Sequence, residues 1–510
     1  MKEKYLIGID SGTSRIKAVL FDLDGNELHS KGMAITAYTP YEDWYEQDMN
    51  EIWELGVQCL KTVSQGIDPD DILGIGLTAQ GDGLWMIDKQ GKPVRKGICF
   101  CDGRTSEIIR QWDEDGTRQK AFDICGTAVF GSSMSAEIRW MERHEPQALK
   151  NAEYFFHLKD WLFYKLTDTV CSDDTDMCIP MLNVKTREYD DRLFELFGIM
   201  RYKDRMPKMR TVRENKAMIS PEAAKTLGFS EKTLITGGPM DIGACMLSCG
   251  VTEDGQAMSI IGTAAIHAVV MDEPDIKPHM LGMTLAHFKQ DRWIRMMSSL
   301  CGAPNLEWFL DTLGDGLKLQ AQEKGVDIYD YCSEIIRDVP IGANGVVYYP
   351  YLLAGGERAP FFKSNIKASF LGISFNTRIE EMLRAVYEGV ALAMFDCYSS
   401  VPTPLKEIYV SGGGSKSDVW MQIFADMMGK EIIVCNGKEH GARGAAMNCG
   451  VAAGVFSGYD EAVRKIVKVK KRYKPDTLRH KRYMELYEIY RSGYRMNMDW
   501  WDLRSHFLDK

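Results

Sequence analysis

The chain has 510 residues, 45% of them hydrophobic, more than one core usually organises, so two domains are expected. Its 72 acidic residues outnumber 62 basic ones, and the net charge of -10 contains no basic block that would follow a phosphate backbone, so nucleic acid is excluded as an expected partner. No run has the pattern of a signal peptide or the length of a membrane span, and the 13 cysteines show neither CxxC pairs nor a disulfide framework, so a cytoplasmic protein with reduced thiols and no membrane partner is expected.

Residues 5–9 form an apolar strand that ends at Asp10, and the small residues Ser11, Gly12 and Thr13 turn the chain into a second strand at 17–21. Such a turn offers backbone N–H groups to a phosphate, and the adjacent carboxylate can hold Mg²⁺; an ordinary hairpin with a solvated aspartate is the plainer alternative. Strands at 72–79 and 84–87 read as a hairpin with Gln80, Gly81 and Asp82 at its tip. Asp82 can accept hydrogen bonds from two neighbouring hydroxyls, as a polyol site requires, although turn residues need no function. Helices are expected at 138–143 and 161–166. After a strand at 234–236, GGPMDIGACMLSCG places Asp241 either as a base for an attacking hydroxyl or as the cap of the following helix.

The turn-rich CGVTEDGQ marks a boundary, dividing the chain into residues 1–250 and 251–510. A repeat supports the division, because GTSRIKAVLFD (12–22) and GTAAIHAVVMD (262–272) share Gly, Thr, Ile, Ala, Val and Asp at the same offsets. The second copy carries Ile260 where the first carries Asp10, which suggests that the acid has a task. A helix follows at 380–399, then a strand at 408–410, the glycines Gly412, Gly413 and Gly414, and a helix at 419–428. Glycines between strand and helix let a flat ring or a diphosphate approach the backbone, or simply make a tight turn. Strands and helices alternate in both halves, so the class is α/β. The charged and aromatic stretch from Arg464 onward packs either on the second domain or on a partner chain, which leaves a homodimer open.

GIGLTA (74–79) matches a dinucleotide fingerprint but lies within a strand that leads to no helix, and GxxxxGK[ST] and HExxH are absent. The ordered set GIDSGTS, YEQD followed by Trp53, GLTAQGDGLWMID, CDGRT, GGPMD, IGT, YYPYLLAGGERAP, AVYEGVA, SGGGSKSDVW and EHGARGAAM resembles the FGGY carbohydrate kinases, from about Tyr5 to Gly454. The resemblance implies two actin-like (ribonuclease H-like) domains closing on ATP and a sugar or polyol, the first carrying sugar, phosphate and base, the second the nucleotide. It implies that Asp241 is the general base and that Asp10 and Asp241 place Mg²⁺. Gly12, Thr13, Gly262 and Thr263 would then meet the phosphate, Gly302, Gly412, Gly413 and Ser417 the nucleotide, and Gln80, Gly81, Asp82 and Asp241 the acceptor. Gly81 and Asp82 stand where D-xylulose kinases have Met-His and glycerol kinases Arg-Glu, whereas the AQGDG turn is most similar to erythritol kinases, with the L-xylulose branch next. The rival readings are an actin-like ATPase and a sugar sensor without turnover.

Overall fold

The computed structural model describes residues 3–262, 264–353 and 355–508, so Thr263 lies outside the described residues. Strands β1 (Tyr5–Ser11) and β2 (Arg15–Asp22) pair antiparallel, and β3 (Glu27–Ala34) adds to β2 at the edge. The continuous apolar runs of β1 and β2 reflect burial on both faces, whereas edge strand β3 carries His29 and Lys31 to water. Helix α1 (Met49–Val63) starts at Asp48, whose carboxylate accepts from the Asn50 and Glu51 N–H groups, and it turns Ile52, Cys59, Leu60 and Val63 inward at helical spacing. Strand β4 (Ile72–Ala79) runs parallel to β1. A cap region follows with β5 (Trp85–Ile87), α2 (Met134–His144), β6 (Tyr154–Phe156) and α3 (Leu158–Thr167). Strands β7 (Lys216–Met218) and β8 (Leu234–Gly237) complete a sheet ordered β7-β8-β4-β1-β2-β3, and α4 (Asp241–Cys249) follows.

The second half repeats this plan with β9 (Gln256–Ile261), β10 (Ala265–Met271), β11 (Met283–Ala286), β12 (Trp293–Ser299), α5 (Ile379–Ser399), β13 (Glu407–Gly412), α6 (Asp418–Met428), β14 (Ile432–Cys435), α7 (His440–Ala452) and β15 (Val469–Tyr473). Its sheet is ordered β11-β12-β10-β9-β13-β14-β15. In each half the first strand pairs antiparallel with the second and parallel with the fourth long strand, so β1, β2, β3, β4 and β8 correspond to β9, β10, β12, β13 and β14. The sequence repeat is the first hairpin of a duplicated α/β sheet.

Two apolar cores lie on the outer sides of the halves, and a third joins them, with Leu6 and Phe21 from the first sheet, Met258 and Ile433 from the second, and Met246 and Met447 from the helices between. Helix α7 belongs to the second half yet rests on β1 and β4 of the first. It can do so because glycines remove the intervening side chains: a Cβ on Gly8 would stand 1.8 Å from the Ala442 carbonyl oxygen, and one on Gly76 would stand 1.9 Å from that of Ala445. Gly444 of α7 meets α4 as closely, a Cβ there falling 1.9 Å from the Ala244 carbonyl oxygen.

Two expectations need correction or completion. The expected hairpin over 72–87 does not form, because both edges of β4 are taken by the parallel neighbours β1 and β8. Strand β5 pairs instead with β6, leaving residues 80–82 as a connection outside the sheet. The C-terminal stretch packs on the second half through helix α8 (Thr477–Met496), where the Tyr490 hydroxyl lies 2.8 Å from that of Tyr351 and Arg384 donates to the Tyr483 hydroxyl at 2.8 Å.

Candidate active site

The ends of β1, β4 and β8 bring Asp10, Gln80 and, through the following helix start, Asp241 to one edge of the first sheet. Asp241 is the first residue of α4, and among the described residues its Oδ1 accepts only the neighbouring Ile242 N–H, at 2.7 Å, so it does not act as the cap. No hydrogen bond to the Asp10 carboxylate forms among the described residues. Both side chains keep an open edge, yet the surrounding protein desolvates them, and this raises Asp10 to about 6 and Asp241 to about 7, the latter also through the charge of Asp10. Two carboxylates at one sheet edge, within electrostatic reach of each other and with so few donors, fit a divalent cation, and a group poised near neutrality fits a general base. Lys17 moderates the charge of Asp10 and is itself paired with Glu439 at 2.8 Å.

The 12–14 turn is fixed from behind. Thr13 Oγ1 donates to Gln80 Oε1 at 3.0 Å, Gln80 Nε2 donates to Gln47 Oε1 at 2.9 Å, and Gln47 Nε2 returns to the Thr13 carbonyl at 2.6 Å. The Gln80 amide, expected at the acceptor, thus spends its polar atoms on the phosphate-type turn. Beside it, a Cβ on Gly12 would meet nothing closer than 3.7 Å, so the turn's face is open. Asp82 adopts a left-handed backbone at φ 64°, and its carboxylate accepts the Met134 N–H at 3.1 Å and the Ser133 hydroxyl at 3.3 Å, which ties the 80–82 connection to the start of α2. Burial raises Asp82 to about 7 against the nearby His157 charge.

On the second sheet the nucleotide candidates converge in the same way. The β9 end pairs Ile261 with Gly412, the Ala303 N–H donates to the Gly262 carbonyl at 2.8 Å, and Asn305 donates to the Gly302 carbonyl at 3.0 Å. A Cβ on Gly413 would meet open space, whereas one on Gly412 would strike the Ile261 carbonyl, so Gly412 is required for the close turn and Gly413 leaves room for a ligand. Ser417 caps α6, accepting the Trp420 N–H. Thr263 lies outside the described residues.

Several groups were missed in the sequence, most of them because a partner is distant along the chain. Gly441 of EHGARG lets α7 begin against Asp10, a Cβ there falling 2.2 Å from Asp10 Oδ2. In CDGRT, the Arg104 guanidinium grips Asp102 with two bonds of 2.7 and 2.8 Å, reaches Glu46 at 2.7 Å and lies 3.8 Å above the Trp44 ring. A fully buried network follows in the cap, with Lys159 bound to Asp173 at 2.6 Å and to the Gly238 carbonyl at 2.8 Å, and His157 Nδ1 2.9 Å from Asp176 Oδ1.

The chain is similar to known proteins in sequence and in fold. The model for the FGGY family of carbohydrate kinases, N-terminal domain, matches residues 5–248, and that for the C-terminal domain matches residues 257–453. Erythritol kinase of Brucella abortus is 27% identical over 98% of each chain, and L-xylulose/3-keto-L-gulonate kinase of Escherichia coli 26% identical over 96% of each. Gluconate kinase from Lactobacillus acidophilus superposes with a TM-score of 0.90 at 22% identity, over 98% of this chain and 99% of that one, which establishes the fold.

Proposed function

The chain belongs to the FGGY family of carbohydrate kinases, and on that premise we propose that it phosphorylates a hydroxyl of a four- or five-carbon polyol or ketose, erythritol and L-xylulose leading, with Mg·ATP in the cytoplasm. The observation that carries the reading is the Asp10–Asp241 pair, two desolvated carboxylates of raised pKa at the edge of an open, glycine-lined turn. In this reading residues 1–250 hold acceptor and base, and residues 251–510 hold the nucleotide. Asp241, ionised near neutral pH, accepts the proton of the attacking hydroxyl. Gly81 and Asp82 orient that hydroxyl while Gln80 holds the turn beside them, and the open turns at Gly12 and Thr13 and at Gly262 and Thr263 receive the transferred phosphate. Gly302, Gly412, Gly413 and Ser417 receive the nucleotide. When bound, Mg²⁺ supplies charge neutralisation, and Asp10 and Asp241 would hold it.

The substrate preference rests on the similarity to erythritol and L-xylulose/3-keto-L-gulonate kinases and on Gly81 and Asp82 at the acceptor turn. Coupled ADP release across erythritol, ribitol, xylitol, both xyluloses, both ribuloses, glycerol and gluconate tests it, with Asp241→Asn as control. Strong stimulation by one four- or five-carbon acceptor, lost in the variant, is expected. ADP release at one rate whatever is added would instead favour an ATPase.

A further inference from the structure

Helix α9 (Met498–Leu508) follows α8 across Asn497 and is apolar on two sides. One side is spent within the chain. Trp501 is buried in the outer core of the second half, and the next residue, Asp502, accepts from Lys363 at 2.6 Å and from Asn365 at 2.7 Å. The other side meets water. At about 100° per residue, Trp500, Leu503 and Phe507 fall within about 60° of one another, turned away from Trp501, and Met496 at the end of α8 extends the row. Met496 is 81% exposed, Trp500 52%, Leu503 69% and Phe507 76%.

Single exposed apolar residues need no explanation, but a continuous row does. At roughly 150–250 Å² for a fully exposed large side chain, these four leave about 500 Å² of apolar surface in water. A stable homodimer buries about 800 Å² per partner, about 65% of it apolar, which is the same amount.

The polar flanks of the row select the partner. Asp499 and His506 lie on one flank and Arg504 on the other, and none of the three has a side-chain hydrogen bond or ion pair among the described residues. A twofold axis runs two copies of α9 antiparallel and keeps like flanks on the same side. When Trp500 of one copy rests on Leu503 of the other, Met496 rests on Phe507, and Asp499 of each copy comes within about 3 Å in height of His506 of the other. The imidazole N–H can donate to that carboxylate in either charge state. Read against its own reverse, the row thus sets apolar on apolar and acceptor beside donor, each twice.

We propose that the outer face of α9 is the contact of a symmetric homodimer, in which two α9 helices pack antiparallel through Met496, Trp500, Leu503 and Phe507, with Asp499 of each copy beside His506 of the other. Trp501 belongs to the outer core and not to the core that joins the halves, so the contact lies away from the seam between them, and the inference does not depend on which acceptor is phosphorylated.

Sedimentation of the full chain over a wide range of concentration tests it. Wild type should sediment at twice the chain mass. Leu503→Asp, an exposed change counted twice by the symmetry, should weaken the dimer about a hundredfold or more. Asp499→Arg alone and His506→Asp alone should each weaken it several-fold, and the two together should recover most of the loss. A monomer at every concentration, including one whose α9 binds lipid vesicles instead, overturns the proposal, as does a dimer indifferent to Leu503→Asp. A double variant no better than its parents overturns the antiparallel pairing. Should Leu503→Asp fail to fold, hydrogen exchange of wild type decides: protection of the α9 amides should rise with protein concentration, and protection independent of concentration overturns the proposal.

Discussion

Replacing Asp241 by asparagine should stabilise the protein while removing its activity. Burial and the charge of Asp10 raise the folded-state pKa of Asp241 from 3.8 to about 7. A carboxyl whose folded pKa lies above its unfolded value weakens the fold progressively as pH rises from about 4 to about 7. At about 1.36 kcal/mol per pH unit the ionised group costs at most about 4 kcal/mol, and roughly 2–4 kcal/mol once water at its open edge is allowed for. Asparagine keeps the shape and removes the charge, so the ligand-free variant should exceed wild type by that amount at pH 8 and by less than about 2 kcal/mol at pH 5. Urea unfolding at the two pH values measures the difference, and coupled ADP release should show a loss of about 10²–10⁴-fold if Asp241 is the base. Equal stabilities of variant and wild type at pH 8, or a gap independent of pH, would refute the account of Asp241 as a desolvated carboxyl.

Gly444→Ala places a methyl group 1.9 Å from the Ala244 carbonyl oxygen, so it should cost about 1–3 kcal/mol or more and lower the thermal midpoint together with turnover. Arg104→Lys forfeits the two-pronged grip on Asp102 and the stacking on Trp44; a loss of about 3–5 kcal/mol, read by denaturant unfolding, is expected for a disrupted buried pair. Thr13→Val deprives buried Gln80 Oε1 of its donor, a local cost of about 1–3 kcal/mol, and should raise the KM for ATP several-fold while leaving that for the acceptor within twofold in steady-state assays.

The parts legible in the sequence are those that short stretches determine. The first hairpin of each half was readable because its strands and turn are contiguous, and the long helix α5 because its apolar spacing persists over 21 residues. Strand β5 was readable as a strand but not in its pairing, since the competition for the edges of β4 is settled by β1 and β8 from elsewhere in the chain. The same division holds at the site. Asp10, Gly12 and Asp241 stand out beside glycines and strand ends, whereas Lys17 with Glu439, or Gly441 against Asp10, requires residues over 400 positions apart to meet. The Gln80 amide illustrates a different limit. It stands out at a strand end, yet Thr13 and Gln47, which occupy it, lie far from it along the chain.

The seating of α7 on the first sheet has a bearing on how the chain is made. A ribosome releases residues 5–250 long before residues 440–452 exist, and during that interval the glycine-paved surface at Gly8 and Gly76 has no helix to cover it. The newborn N-terminal half therefore waits with an apolar face exposed, open to premature association with other chains, until residues 440–452 of its own polypeptide arrive. Completion of the fold is in this sense deferred until α7 has been translated, and the narrow fit of α7 leaves little tolerance for any other helix in its place.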